Sequence, residues 1–189
     1  MRKWSRKNSL GGLKVRSEMD EHEAEVLRSL IGAVSGLLTE RARSAPEDEL
    51  AALTGLQTGN TTPPDDPRLY RLLPDFHRSE PGSPDAERAG LNGALRGLHE
   101  PDIIETKVAA GSVVLETLPP QGGKIVLTPE QADAWLTALN DTRLALGTAL
   151  EIGPDTPDHL DEDDPRAPSL EIYHWLTWMQ DSLLQALAP

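Results

Sequence analysis

The stretch from Trp135 to Gly147 constrains the fold of this chain more than any other, because polar Asn140 and Arg143 interrupt a segment otherwise apolar on most of its circumference. At 3.6 residues per turn, Trp135, Leu139, Leu146 and Leu150 form one stripe and Leu136, Arg143 and Gly147 the adjacent one, with Leu144 opposite the first. A solvated surface helix has one greasy side; this one requires neighbours on several sides. The expected architecture is therefore mainly α, a single helical bundle-like domain built around a central helix.

Other elements follow from local grammar. Leu13 and Val15 alternate with Lys14 and Arg16 as in a short strand, and Asp20-Glu21-His22-Glu23 reads as a capping box opening a helix with the stripe Ala24, Leu27, Leu30, Ile31, Val34 and Leu38. The same order recurs at Lys124 to Leu127, which runs into Thr128-Pro129-Glu130-Gln131, with Thr as N-cap, Pro at N1 and Gln at N3. Two lone strands satisfy their backbone groups by pairing, so a small two-stranded β ribbon is expected. Ala45-Pro46, Asp66-Pro67, Ser83-Pro84, Glu100-Pro101 and Asp164-Pro165 mark helix starts, since proline at N1 loses only a hydrogen bond that is unpaired anyway. Ile104, Val108, Leu115 and Leu118 favour a helix from Ile103 to Leu118, and Ile172, Trp175, Leu176, Met179, Leu183 and Leu187 give a closing helix with an apolar face and Trp178 at its edge. Exposed loops are expected near residues 55–65 and 153–164, rich in Gly, Pro, Thr and Asp.

Composition bounds the chemistry. The chain has 189 residues, enough for one core without staples, and its 16 prolines and 15 glycines call for several breaks. Zero cysteines excludes a disulfide framework, a thiolate metal site, a cysteine nucleophile and a thiol switch within these residues. No apolar run is long enough to cross a bilayer and no secretory apolar region follows the basic start, so no membrane contact and a cytoplasmic location are expected. Residues 1 to 16 hold Arg2, Lys3, Arg6, Lys7, Lys14 and Arg16 without an acid; with a formal charge of -13 for the whole chain and +6 here, the remainder carries -19. An acidic body repels nucleic-acid phosphates and suits a basic protein partner, unless the charge serves only solubility.

Residues 1–9 lack periodicity and read as a flexible basic arm. Within it Arg2, Lys3, Trp4, Arg6 and Lys7 combine cations with one aromatic, which phosphate contact and stacking would use, so nucleic acid is unlikely except through this arm. Asn140, Asp141 and Arg143 are the most suggestive polar group; a buried structural network is the plain reading, and an anion site at Arg143 and Gly147 the functional one. The acidic run Asp155 to Asp164 lacks the glycine and terminal glutamate of an EF-hand loop, and His22 has no partner histidine four residues away. No phosphate loop, nucleophile elbow or dinucleotide fingerprint is present, so neither metal, cofactor nor catalytic residue is assigned.

Asp66-Pro67-Arg68-Leu69-Tyr70-Arg71-Leu72-Leu73-Pro74, the strand-to-helix unit Ile125 to Gly147 and Trp175-Leu176-Thr177-Trp178 resemble an actinobacterial family of small helical proteins long catalogued as a domain of unknown function. Its named member is an actinomycete oxidative stress regulator, which works with an alternative sigma factor of RNA polymerase and not as an enzyme. The resemblance runs nearly the whole chain, and Leu-Asn-Asp-x-Arg-Leu-x-Leu-Gly is its more specific part. It implies a non-enzymatic, transcription-associated regulator acting by protein contact, with a sigma factor or RNA polymerase as partner and a homodimer left open. The family regulator's redox response is associated with a Cys-x-x-x-Cys pair near the N-terminus, whereas residues 1–9 here contain no cysteine. Thiol sensing does not carry over; Met19, Met179 or a partner would have to supply any oxidation chemistry. The competing readings are a small-ligand protein or enzyme with a pocket near Arg143, and direct DNA binding by the basic arm.

Overall fold

Both capping boxes form and fix where the two principal helices begin. The Asp20 carboxylate accepts from the Glu23 amide at 2.9 Å and the Glu23 carboxylate from the Asp20 amide at 2.8 Å; Thr128 and Gln131 make the reciprocal pair at 3.2 and 2.9 Å. The computed structural model describes residues 1–9, 12–46, 59–77, 85–161 and 163–188. Its elements are β1 (Ser5–Ser9), β2 (Gly12–Met19), α1 (Glu21–Arg43), α2 (Pro67–Leu72), α3 (Asp85–Thr117), β3 (Gly123–Leu127), α4 (Pro129–Ala149) and α5 (Ala167–Leu187). The mainly helical reading holds.

Helix α4 is the central helix: α1, α2, α3 and α5 all pack on it. Trp135 and Leu139 are fully enclosed, and the Trp135 indole N–H donates to the Thr117 hydroxyl of α3 at 2.8 Å, so the large ring is buried without stranding its polar edge. The main core joins Leu27 and Ile31 of α1, Val114 of α3, Leu139 of α4 and Leu176, Met179 and Leu183 of α5. A second cluster gathers Val34, Leu38, Leu72, Leu73, Ile104 and Ala145 at the other end of the bundle. The closing helix buries its expected face, with Trp178 left half outside.

Four expectations need correction. The ribbon has a third strand: the order is β1-β2-β3, both pairs antiparallel, with Val15 opposite Leu127 and Arg6 opposite Val15. The third strand comes from residues 1–9, which are tied into the fold instead of hanging as a flexible arm. Trp4 is only 3% exposed and meets Trp135 edge to face, ring centroids 5.4 Å apart; its amide donates to the Ser182 hydroxyl at 2.9 Å, and the Arg6 guanidinium donates to the Ala188 carbonyl capping α5 at 2.8 Å. One indole entering the core offsets the entropy of ordering a strand whose other residues are polar.

Glu100-Pro101 is not a helix start, because α3 runs through it from Asp85 to Thr117. Proline at 101 has no N–H for the carbonyl of residue 97. That carbonyl instead accepts the Gly59 amide at 2.7 Å, so the break in the helical ladder becomes an anchor for a loop. The contact is close: a Cβ at Gly59 would lie 2.9 Å from both Cγ and Cδ of Pro101. Gly59 and Asn60 are consequently buried, as is Pro64, whereas Thr61, Thr62, Pro63 and Asp65 are exposed as expected of residues 55–65, and residues 153–164 are mostly exposed where described. The expected helix after Ala45-Pro46 and the Ser83-Pro84 start lie outside the described residues.

Candidate interaction surface

The pleat of the sheet separates two sets of side chains. Val15, Ser17, Met19, Ile125 and Leu127 face the helices and are buried. Their neighbours face outward: Lys14, Arg16 and Glu18 on β2, Lys124 and Val126 on β3, and on β1 Ser5 opposite Arg16 and Lys7 opposite Lys14. Arg2 and Lys3 extend this face, Arg2 pairing with Glu18 at 3.2 Å. Together they line a shallow groove of about 650 Å³. Among the described residues six cations share it with a single carboxylate, and Val126 is 57% exposed among them.

Of the arm residues, then, Arg2, Lys3 and Lys7 contribute to one cationic face, Trp4 is a core residue beneath the sheet, and Arg6 lies on the other side of β1, bound to the end of α5. Charge and the expected pairing of the strands at residues 13–16 and 124–127 were the legible signals for this face; the β1 pairing that sets Lys7 opposite Lys14 was not.

Asn140, Asp141 and Arg143 lie on successive sides of α4, and no hydrogen bond joins them to one another. Asp141 is buried and accepts from the Lys107 ammonium of α3 at 2.6 Å, which leaves its Oδ2 without a partner. Burial pushes its carboxyl above the usual carboxylate range, with the hydrogen bond and charge of Lys107 pulling the other way. Asn140 is half-buried. Arg143 has a buried, unpartnered Nε and borders an open cavity of about 490 Å³ with Arg71, Gly147, Thr148, Glu151 and Tyr173. Glu151 there adopts a left-handed backbone, φ 54°, just past the end of α4.

A second polar cluster was not foreseen. Glu100, 1% exposed, accepts from the Arg96 guanidinium at 2.6 Å and from Arg41 Nε at 2.7 Å. Arg96, equally buried, also donates to the Leu73 carbonyl and to Asp75, both at 3.0 Å, while Arg41 donates to the Thr62 carbonyl. These contacts hold the segments at Thr62 and at Leu73–Asp75 against α1 and α3. The Arg-x-x-x-Glu spacing at 96 and 100 was the available signal, masked because a pair on a helix normally lies outside. Among the described residues no group of three or more His, Asp or Glu is placed to hold a metal ion, and no helix is long and apolar enough to cross a membrane.

The model of a domain of unknown function, DUF2017, matches residues 1–187. The chain belongs to that family. Members similar to it include proteins named oxidative stress regulator AosR from Mycobacterium tuberculosis and Mycobacterium bovis, each 44% identical over 192 aligned residues covering 99% of this chain and 88% of the relative. A Mycobacterium leprae member, named putative oxidative stress regulator AosR, is 43% identical over 193 residues with the same coverage. The relatives' name supports a regulatory role, and the family accords with the actinobacterial resemblance. No solved structure matches the chain.

Proposed function

We propose that this protein is a non-enzymatic regulator of the oxidative stress response that acts in the cytoplasm by contact with another protein, a sigma factor or RNA polymerase. The observation that carries the reading is the 44% identity, over 99% of this chain, to proteins bearing the regulator name. Support also comes from the surface. The exposed loop carrying Asp155, Asp158, Asp161 and Asp163 offers an acidic patch suited to basic protein partners. Met19 and Met179 are both buried, so an oxidant reaches neither without opening the core, and the oxidation signal is assigned to the partner. Tagged full-length chain is expected to recover RNA polymerase or a sigma factor from extract at low salt; recovery of neither overturns the reading.

A second reading has one observation in its favour, the unpartnered Nε of Arg143 beside Arg71 in a polar cavity. Two guanidinium groups there suit a small anion. Titration with inorganic phosphate decides it: saturable binding abolished by Arg143→Met supports a ligand site, and no binding at millimolar phosphate removes it.

A further inference from the structure

The sheet face is an anomaly in a chain of net charge -13, and the anomaly is built by pairing, not by proximity in sequence. Lys124 arrives from the far side of the chain to join Lys3, Lys7, Lys14 and Arg16. Lys7 stands directly opposite Lys14 in the β1–β2 ladder, a like-charge pair that weakens a sheet. Among the described residues lining this face Glu18 is the one carboxylate; it pairs with Arg2 at 3.2 Å and stands opposite Lys124 in the β2–β3 ladder. Lys3, Lys7, Arg16 and Lys124 are exposed, and among the described residues none of them makes an ion pair.

We propose that this face docks an acidic, extended segment of a protein partner. The inference deepens the protein-contact reading by assigning it a second surface, opposite in sign to the acidic body.

Size and charge select the occupant. Three strands about 4.8 Å apart and about five residues long give a platform roughly 10 by 17 Å, the footprint of five or six extended residues. Carboxylates on such a segment would meet Lys7, Lys14, Arg16 and Lys124, and an apolar side chain would cover Val126, the exposed aliphatic residue on the β3 edge of the face. Nucleic acid fits less well. A duplex outruns the platform and carries its phosphates over a body of charge -19, while screening reaches only about 8 Å. The face also lacks a stacking ring, since Trp4 lies under the sheet. A second copy bringing its own 153–164 loop would dock head to tail, a heterologous contact that builds rings or filaments and not a twofold dimer.

The test uses the full chain, a fluorescein-labelled peptide of alternating Glu and Val, and a short labelled DNA duplex, with anisotropy read at low and raised salt. The peptide is expected to bind, to weaken with salt, and to lose about five- to tenfold in affinity in Lys7→Gln/Lys14→Gln, two surface charge contacts removed together. That double variant relieves the cross-strand repulsion, so its melting temperature should equal or exceed that of the wild type, which separates lost binding from lost folding. Arg16→Gln, on the same face, should weaken the peptide in the same direction.

Peptide affinity within twofold of wild type in the double variant overturns the proposal. So does tighter binding of the duplex than of the peptide, or self-association in sedimentation that the double variant abolishes. The two readings fail separately. Polymerase or sigma factor captured equally by wild type and double variant sinks the face and leaves the regulator; peptide binding through the face without any such capture does the reverse.

Discussion

Replacing Glu100 with glutamine should destabilise the protein far more than any surface charge change. The carboxylate, 1% exposed, holds two guanidinium groups at 2.6 and 2.7 Å. Glutamine preserves its shape and one oxygen but turns an amide N–H₂ toward one of the two cations. A charge-assisted bond of about 1.5–3 kcal/mol is lost and a buried cation is left partly unpaired, and breaking a buried pair from one side costs about 3–5 kcal/mol. Arg96 keeps the Leu73 carbonyl and Asp75, and Arg41 keeps the Thr62 carbonyl, so the lower end applies: about 3 kcal/mol. For a chain of this length that is roughly 6–12 °C in melting temperature. Urea unfolding should show the midpoint falling with an unchanged slope. Asp75→Asn, which loosens the solvent-facing end of the same network, should cost less than about 1 kcal/mol. A Glu100→Gln variant within about 1 kcal/mol of wild type, or one no worse than Asp75→Asn, refutes the argument that burial sets the cost.

Gly59→Ala places a methyl 2.9 Å from the Pro101 ring and should cost about 2 kcal/mol by overpacking, falling below about 0.5 kcal/mol when introduced into Pro101→Ala; equal costs in both backgrounds, read by urea unfolding, would show that the ring is not the obstacle. Trp4→Ala removes a buried indole that meets Trp135 edge to face and should cost about 3–5 kcal/mol, where a loose arm would cost nothing measurable. Burial holds the Asp141 carboxyl above its ordinary value, so the stability it confers is complete below the unfolded value of about 3.9 and is lost as pH rises through the folded one. Asp141→Asn, which cannot ionise, should therefore gain on the wild type from pH 3 to 7 in paired melting curves, and parallel curves contradict the assigned direction.

What the sequence made legible was whatever had a period or a cap. Asp20 with Glu23, Thr128 with Gln131, and Leu176, Met179 and Leu183 were readable because each is settled within a turn or two of helix. Strand β1 was not, since Ser5-Arg6-Lys7-Asn8-Ser9 has no apolar alternation; its one core anchor, Trp4, meets a partner 131 positions along the chain. Pro101 was misread because its helix-breaking effect is local while its remedy, the Gly59 amide, comes from a separate segment. The cationic face was half visible: the basic cluster stood out in residues 1 to 16 and the ribbon with residues 124–127 was expected, but the β1 strand that sets Lys7 opposite Lys14 had no apolar pattern to announce it.

The bonds from Trp4 to Ser182 and from Arg6 to Ala188 make the opening strand a guest of the final helix. Contacts of such sequence separation close late in folding. A chain clipped before Ser182 keeps every lysine of the platform but loses both tethers of its first strand, so the seating of Lys7 is read out at the opposite end of the sequence.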